Sequence, residues 1–445
     1  MATASRISLS QDHRGVASVN EIPAGSIEAA DRLLQQNHDE NHMFWRAVAG
    51  HNHITHSLLT TLALGGGVEE IQRAFDDGND IQRPIPQVDN RIVEQLRNPD
   101  HFRAKIGQLD QYSNFLAFFT QEIETKGYRF VVAEYCFSGS PNAETLFAQL
   151  FEGLYHPIIH LAFGIEFDQP SIIAEALAQV ASHDSMGIEE FLVRSQEEAQ
   201  GSTQPARPLM HLFHDIEESE TLQKAAHGFH DGPARIREGV LGSHGEEIRA
   251  LASQFRVHPE NIDRRLAEVT NCSAYIAGAA QRAGKPRKID FFHLHLLTAS
   301  LAVAIVVRQP WISAELKARL VEWKARVDLV WYTGTGAVEI LLENLLKYSP
   351  TVSVDMDWKN LYRAVTLEHD DGHLAKFVRA LKFGEDISKP FEEGEGKEDF
   401  PIKGESWLRL AQMSYDTTFN RPIELKWIWG IGFDENWTYL LSQES

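Results

Sequence analysis

The residues best suited to chemistry in this chain are its histidines, which fall into clusters separated by long stretches of sequence. The clusters are His51, His53 and His56; His156 and His160; His293 and His295; and His369 and His373. Each cluster lies in or beside an apolar stretch with helical spacing. A buried imidazole must satisfy both ring nitrogens, so single core histidines are common but several on separate buried helices are harder to explain. One histidine from each of four helices would form a cage for a metal ion.

Spacing limits which of these side chains can meet. His369, His373 and Lys376 lie at i, i+4 and i+7, which predicts one face of a helix. His156 and His160 also share a face. At most one or two residues of each cluster can reach a common point, so the spacing leaves the choice of ligands open.

The common metal-binding signatures are absent from the sequence. There is no HExxH, no ExxH and no CxxC, which excludes the usual zinc protease, paired di-iron and iron–sulfur motifs. The two cysteines, Cys136 and Cys272, cannot build a disulfide framework.

The elements that must position the histidines are predicted to be helices. Helical spacing covers residues 26–36, 53–64, 68–75, 142–151, 157–167, 171–182, 290–307, 314–327, 337–347 and 358–382. We therefore expect an all-α fold with the metal site buried between helices. Residues 21–445 are predicted to form a single helical catalytic domain, because no linker divides them, and residues 1–20 a mobile N-terminal arm.

Composition narrows the possible partners and location. The 42 basic and 63 acidic residues give a net charge of -21, which disfavours binding to nucleic acid or anionic lipid. The longest apolar run, residues 291–307, is short and contains polar side chains, so no membrane span is predicted. With no apolar signal region at the start, we expect a cytoplasmic protein. The apolar tail, residues 423–441, is expected to pack on the body or on a second subunit, which leaves a homo-oligomer open.

Four segments together resemble the questin oxidase-like family. They are HNHITHSLLTTLALGG (51–66), LYHPIIHLAFGIEFDQPSIIAEALAQVASH (154–183), FFHLHLLTASLAV (291–303) and HDDGHLAKFVRAL (369–381). Family motifs of the types N-H, A-x-H-x-x-I, H-x-x-T and D-x-H-x-x-K fall on His53, on His156, on His295 with Thr298, and on His373 with Lys376. One position departs, since Leu154 stands where the second motif has alanine. His56 lies about one turn from His53 and remains the alternative ligand.

The sequence looks close to the ring-cleaving dioxygenase type within this family. That resemblance implies Fe²⁺ held by His53, His156, His295, His373 and a carbamate that CO₂ forms on Lys376. It also implies O₂ as co-substrate, and an anthraquinone of fungal-type polyketide secondary metabolism that opens to a benzophenone-type product. Thr298 is expected to hydrogen-bond the oxygen. A lysine beside a dication is favoured in its neutral form, which can attack CO₂.

Three alternative functions and the identity of the general base remain open. An NADPH-dependent Baeyer–Villiger-type oxidase would need a dinucleotide site, but Gly334-Thr335-Gly336 lacks the third glycine and is predicted to be an inter-helix turn. The others are a non-catalytic polyketide-binding protein and a zinc hydrolase. The general base could be His56, His160 or His369, and aromatic residues including Phe163 are candidates for stacking on the substrate.

Overall fold

The computed structural model describes residues 1–46 and 50–443, and those residues form an all-α protein. In chain order the helices are α1 Ser26–Glu40, α2 Ile54–Ala63, α3 Val68–Asn79, α4 Asn90–Gln95, α5 Pro99–Lys105, α6 Tyr112–Lys126, α7 Tyr128–Cys136, α8 Pro141–Gln149, α9 His156–Glu166, α10 Pro170–Ser182, α11 Ile188–Gly201 and α12 Leu209–Glu218. They continue with α13 Glu220–Lys224, α14 Gly232–Ala234, α15 His244–Ala252, α16 Ile262–Ala279, α17 Phe291–Val307, α18 Ala314–Gly334, α19 Leu342–Leu346, α20 Trp358–Leu367, α21 His373–Ser388, α22 Ser406–Thr418 and α23 Asp434–Gln443. Within the described ranges, β-structure is limited to isolated bridges. The predicted all-α class is confirmed.

The chain divides into two compact units. Unit 1 comprises Met1–Glu189, Ile305–Ser313 and His369–Lys376. Unit 2 comprises Glu190–Ala304, Ala314–Glu368 and Phe377–Ser445. The single catalytic domain expected over 21–445 stays a prediction, and residues 47–49 and 444–445 of that range lie outside the described residues. Across the described helices, none combines the length and apolar character needed to cross a membrane.

The centre of unit 1 is built from helices that are buried on all sides. Every residue of α2 is buried, as are ten consecutive residues of α9, His156 to Ile165, and twelve of α10, Ser171 to Ser182. Such helices bury residues around their whole circumference, unlike α3, which buries only Ile71 and Phe75. The polar side chains of α2, α9 and α10 therefore face protein and must find partners there.

The N-terminal residues belong to unit 1 and pack against its helix α1. The Ile7 backbone amide donates to Gln35 Oε1 at 2.8 Å, and the Leu9 amide donates to Asp31 Oδ1 at 2.7 Å. The Ile7 and Leu9 side chains are buried. The predicted mobility of residues 1–20 stays a prediction about motion, which these contacts do not measure.

The prediction of one helix over residues 358–382 is wrong. The chain leaves the helical conformation after Leu367, because Glu368 is extended, and α21 begins only at His373. Gly372 has a φ of +90°, and a Cβ atom there would lie 2.9 Å from Ser57 Cβ on α2. The break therefore brings the start of α21 against α2, which a continuous helix would not do.

The helix predicted over 337–347 is also wrong in its first half. Ala337 has a φ of +44°, and the Leu341 amide donates to Ala279 O at 3.2 Å. That backbone pairing replaces the helical hydrogen bonds, so only Leu342–Leu346 is helical.

The tail packs on unit 2. Leu425, Ile428, Ile431, Trp437 and Leu440 form one buried apolar cluster. Val338 packs against this cluster, and the Phe291 amide donates to Ile428 O at 2.7 Å, so the expectation that the tail packs on the body is met within unit 2.

Candidate metal centre

Three histidines of unit 1 converge at the starts of three helices. His53 directly precedes α2, His156 is the first residue of α9, and His373 is the first residue of α21. One nitrogen from each lies within 4.8 Å of the other two, and His53 Nε2 is 2.7 Å from His156 Nε2. Burial lowers the pKa of His53 to about 3 and also lowers the pKa of His373. The imidazoles of His53 and His373 are therefore neutral, which is the form that binds metals.

Oxygen atoms beside Nδ1 orient these imidazoles. His156 Nδ1 donates to Gly153 O at 2.7 Å, and His373 Nδ1 donates to Asp371 Oδ1 at 2.6 Å. The other carboxylate oxygen, Asp371 Oδ2, lies 3.9 Å from His53 Nδ1. A proton held on Nδ1 leaves a lone pair on Nε2, the arrangement usual for metal-binding histidines.

The three residues before His156 have positive φ angles, and this strained turn fixes the position of His156. Gly153, Leu154 and Tyr155 have φ values of 53°, 57° and 66°, and for the two residues with side chains this conformation costs about 1–2 kcal/mol each. A Cβ atom on Gly153 would lie 2.0 Å from His183 Nε2. Non-glycine residues with positive φ persist where surrounding structure holds them, often at functional sites.

Two further histidines, His51 and His183, support the position of the His156 ring. His51 stacks on the His156 ring, with centroids 4.0 Å apart and planes 8° from parallel. His51 Nε2 lies 2.9 Å from His183 Nε2, and His183 Nδ1 donates to Asp184 O at 2.8 Å. Both rings are therefore held by hydrogen bonds.

Lys376 lies one turn after His373 on α21 and is 3% exposed. Its Nζ has no hydrogen-bond partner among the residues that the structure describes. Burial lowers the pKa of Lys376 to about 8, against the opposing effects of Asp371 and Asp370. A buried, unpartnered amine with a lowered pKa fits a lysine that reacts with CO₂, and three converging imidazoles fit a borderline divalent metal.

Two other histidines from the same clusters occupy different environments. His369 lies outside α21, is 74% exposed, and its Nδ1 is 2.7 Å from Asp77 Oδ1. His369 lies in the non-helical segment between Leu367 and His373. The prediction that His369 shares a helical face with His373 is therefore wrong. His56 is buried on α2, with Nε2 3.0 Å from His160 Nδ1.

His295 and Thr298 lie on α17 in unit 2. His295 Nδ1 donates to Phe291 O at 2.7 Å, which leaves Nε2 with the lone pair, as in His156. The Thr298 hydroxyl donates to His295 O at 3.3 Å within its own helix. The roles of both residues at the metal stay predictions from the family resemblance.

The Gly334-Thr335-Gly336 segment lies at the end of α18, between that helix and α19. Dinucleotide-binding glycines follow a strand and open a helix, whereas this segment follows a helix. Its interpretation as an inter-helix turn agrees with the structure.

Sequence reasoning missed Glu175, a buried carboxylate on α10. Glu175 Oε2 lies 2.7 Å from His160 Nε2, and Oε1 lies 2.6 Å from His38 Nδ1. A single acidic residue within the apolar run 170–182 was the available signal, because buried carboxylates are rare without partners.

Comparison with known proteins places these features in a family. The model of the questin oxidase-like family matches residues 50–381. A questin oxidase from Aspergillus terreus is 70% identical over 100% of both chains. A questin oxidase from Aspergillus fumigatus is 58% identical over 98% of this chain and 99% of its own. A Baeyer–Villiger oxidase from Pestalotiopsis fici is 56% identical over 98% of each. This chain therefore belongs to the questin oxidase-like family.

Proposed function

We propose that this chain is an oxidoreductase of polyketide metabolism, a non-heme iron dioxygenase that opens one ring of an anthraquinone. The observation that carries the proposal is the convergence of His53, His156 and His373 beside the buried, unpartnered Lys376. Relatives named questin oxidase and Baeyer–Villiger oxidase support an oxidative reaction on an aromatic polyketide. The proposed product is of the benzophenone type, as the family resemblance implies.

The protein's part is to hold the metal and keep its ligands in the correct protonation state. Bound iron supplies the one-electron chemistry that allows O₂ to react with an organic ring. Neutral Lys376 attacks CO₂, forming an N–C bond and releasing one proton, and the resulting carbamate provides an anionic oxygen ligand. Asp371 and the Gly153 carbonyl hold the Nδ1 protons of His373 and His156. His295 and Thr298 stay predicted as a fourth histidine ligand and an oxygen contact.

A Baeyer–Villiger oxidation is the second candidate, favoured by the names of several relatives. That reaction inserts one oxygen atom beside a carbonyl and takes its electrons from NADPH. It also leads to ring opening, so the products alone do not separate the two reactions.

The discriminating experiment is turnover of a hydroxyanthraquinone under ¹⁸O₂, with and without NADPH. A dioxygenase places both labelled atoms in the ring-opened product and needs no NADPH. One labelled atom with strict dependence on NADPH would contradict the dioxygenase and favour the second candidate.

Two lysine variants make the experiment specific to the site. Lys376→Ala should abolish label incorporation, and added acetate or formate should restore part of it by replacing the carbamate oxygen. Lys382→Ala is the matched control, because Lys382 lies on the same helix but pairs with Glu385 at 2.6 Å. Full incorporation in Lys376→Ala would contradict the role of the lysine.

A further inference from the structure

A chain of hydrogen bonds joins four buried side chains of unit 1. His38 bonds one oxygen of Glu175, the other oxygen bonds His160, and His160 Nδ1 lies 3.0 Å from His56 Nε2. The chain ends at His56, which is 1% exposed. Within residues 1–46 and 50–443, His56 Nδ1 has no hydrogen-bond partner.

The Glu175 carboxylate fixes the direction of the two hydrogen bonds that it accepts, from His38 and from His160. Burial raises the pKa of Glu175, but hydrogen bonds from His160 and His38 outweigh burial and lower it to about 2. An ionised carboxylate only accepts, so His160 Nε2 carries a proton. The tautomer with its proton on His160 Nε2 has a lone pair on Nδ1, and in that arrangement His56 Nε2 donates to His160 Nδ1. A neutral His56 is then left with a lone pair on Nδ1.

This lone pair is buried next to the candidate metal centre. The His56 ring stacks on the Phe163 ring, with centroids 4.9 Å apart and planes 13° from parallel. Its centroid lies 5.8 Å from that of the His53 ring. An unsatisfied buried acceptor costs about 1–3 kcal/mol. Such a group in a folded protein calls for a specific explanation, and a partner outside the chain is one.

We propose that His56 Nδ1 accepts a hydrogen bond from a phenolic hydroxyl of the aromatic substrate. His160, Glu175 and His38 are positioning residues that hold His56 in the accepting tautomer. This inference rests on the proposed function, from which it takes the class of substrate. It adds a selection rule, because an aryl methyl ether at the same place cannot donate and leaves the acceptor unpaired.

The test is a binding titration under anaerobic conditions with the iron-loaded protein. The two probes are 2-hydroxyanthraquinone, whose hydroxyl lies too far from the quinone carbonyls for an internal hydrogen bond, and 2-methoxyanthraquinone, whose ether oxygen cannot donate. We expect the wild type to bind the hydroxy probe about tenfold more tightly, the value of one hydrogen bond to a buried acceptor. His56→Phe keeps an aromatic ring beside Phe163 and should bind both probes alike. His369→Asn, at an exposed position, should retain the preference.

A second measurement reads the tautomer without substrate or turnover. In protein labelled with ¹⁵N-histidine, the His56 Nδ1 shift should be that of an unprotonated nitrogen. In Glu175→Gln, where the carboxamide can also donate, a second His56 tautomer should appear. This readout remains valid if His56→Phe fails to fold.

The outcomes separate the inference from the function on which it rests. An unchanged preference in His56→Phe, or a proton on His56 Nδ1 in the wild type, would overturn the acceptor role alone. Equal binding of the two probes to the wild type would do the same. If neither probe binds the wild type, both the anthraquinone substrate class and the acceptor role are contradicted.

Discussion

Asp371 Oδ1 lies 2.6 Å from His373 Nδ1, while its other oxygen lies 3.9 Å from His53 Nδ1. One carboxylate thus lies beside two of the three imidazoles that converge in unit 1. Without its negative charge, residue 371 interacts more weakly with the Nδ1 protons of His373 and His53. Both imidazoles then become weaker bases and bind a metal less tightly. We expect Asp371→Asn to weaken metal affinity by roughly 10- to 100-fold, measured by competition with a chelator. Asp77→Asn, which removes the partner of exposed His369, should leave the affinity unchanged; equal affinities in both variants would contradict the role of Asp371.

His373 and His369 give opposite predictions although they lie four residues apart. His373→Ala should abolish stoichiometric metal binding, because it removes one of three converging nitrogens. His369→Ala should leave metal content unchanged, since that ring is 74% exposed and outside α21. Metal analysis of the two purified variants checks both. Loss of metal in His369→Ala would show that the helix break does not exist in solution.

Gly153 provides a test of the strained turn before His156. In Gly153→Ala, the new Cβ would lie 2.0 Å from His183 Nε2 at a φ of +53°. We expect the free energy of unfolding to fall by about 2 kcal/mol or more, with a lower metal content. Gly139→Ala is the matched control, because Gly139 also has a positive φ but nothing lies within 4 Å. That variant should lose only about 1 kcal/mol and keep its metal; equal effects of the two variants would contradict the close contact.

The contribution of Glu175 to the stability of the fold should depend on pH. Its folded pKa of about 2 lies below the ordinary 4.5, so its contribution is present above pH 4.5 and is lost as pH falls toward 2. Burial lowers the pKa of His38, but the hydrogen bond to Glu175 and the charges of Glu175 and Asp39 together raise it above 6.5, so its contribution is lost as pH rises beyond that value. The difference in unfolding free energy between the wild type and Glu175→Gln should therefore be largest between about pH 4.5 and 6.5. Urea unfolding across pH 3 to 8 measures it, and a difference that stays constant would contradict the ionised chain.

The sequence predicts the class of the fold and the neighbourhood of the site better than the site itself. Helical spacing of apolar residues identified α2, α9, α10 and α17. It joined α20 to α21, because His369, His373 and Lys376 lie at i, i+4 and i+7, although Asp370-Asp371-Gly372 between them is typical of a loop. Local spacing therefore placed His369 beside His373, whereas Gly372 packs against Ser57, more than 300 residues earlier in the chain.

Partners that lie far apart in the sequence could not be predicted. His53, His56 and Glu175 meet the residues that define their roles only through tertiary packing, so spacing left His53 and His56 as alternatives. The structure distinguishes their environments, since His53 Nε2 lies 2.7 Å from His156 Nε2 and His56 Nε2 lies 3.0 Å from His160 Nδ1. The identity of the metal and the chemistry of Lys376 depend on the family resemblance.

The most direct test of the account is the iron content of the wild type and of Lys376→Ala, each purified anaerobically and supplied with Fe²⁺ and bicarbonate. We expect about one iron per wild-type chain, a ¹³C carbamate signal after labelling with ¹³C-bicarbonate, and loss of both in the variant. A wild type that binds no iron, or a Lys376→Ala variant that retains one iron per chain, would contradict it.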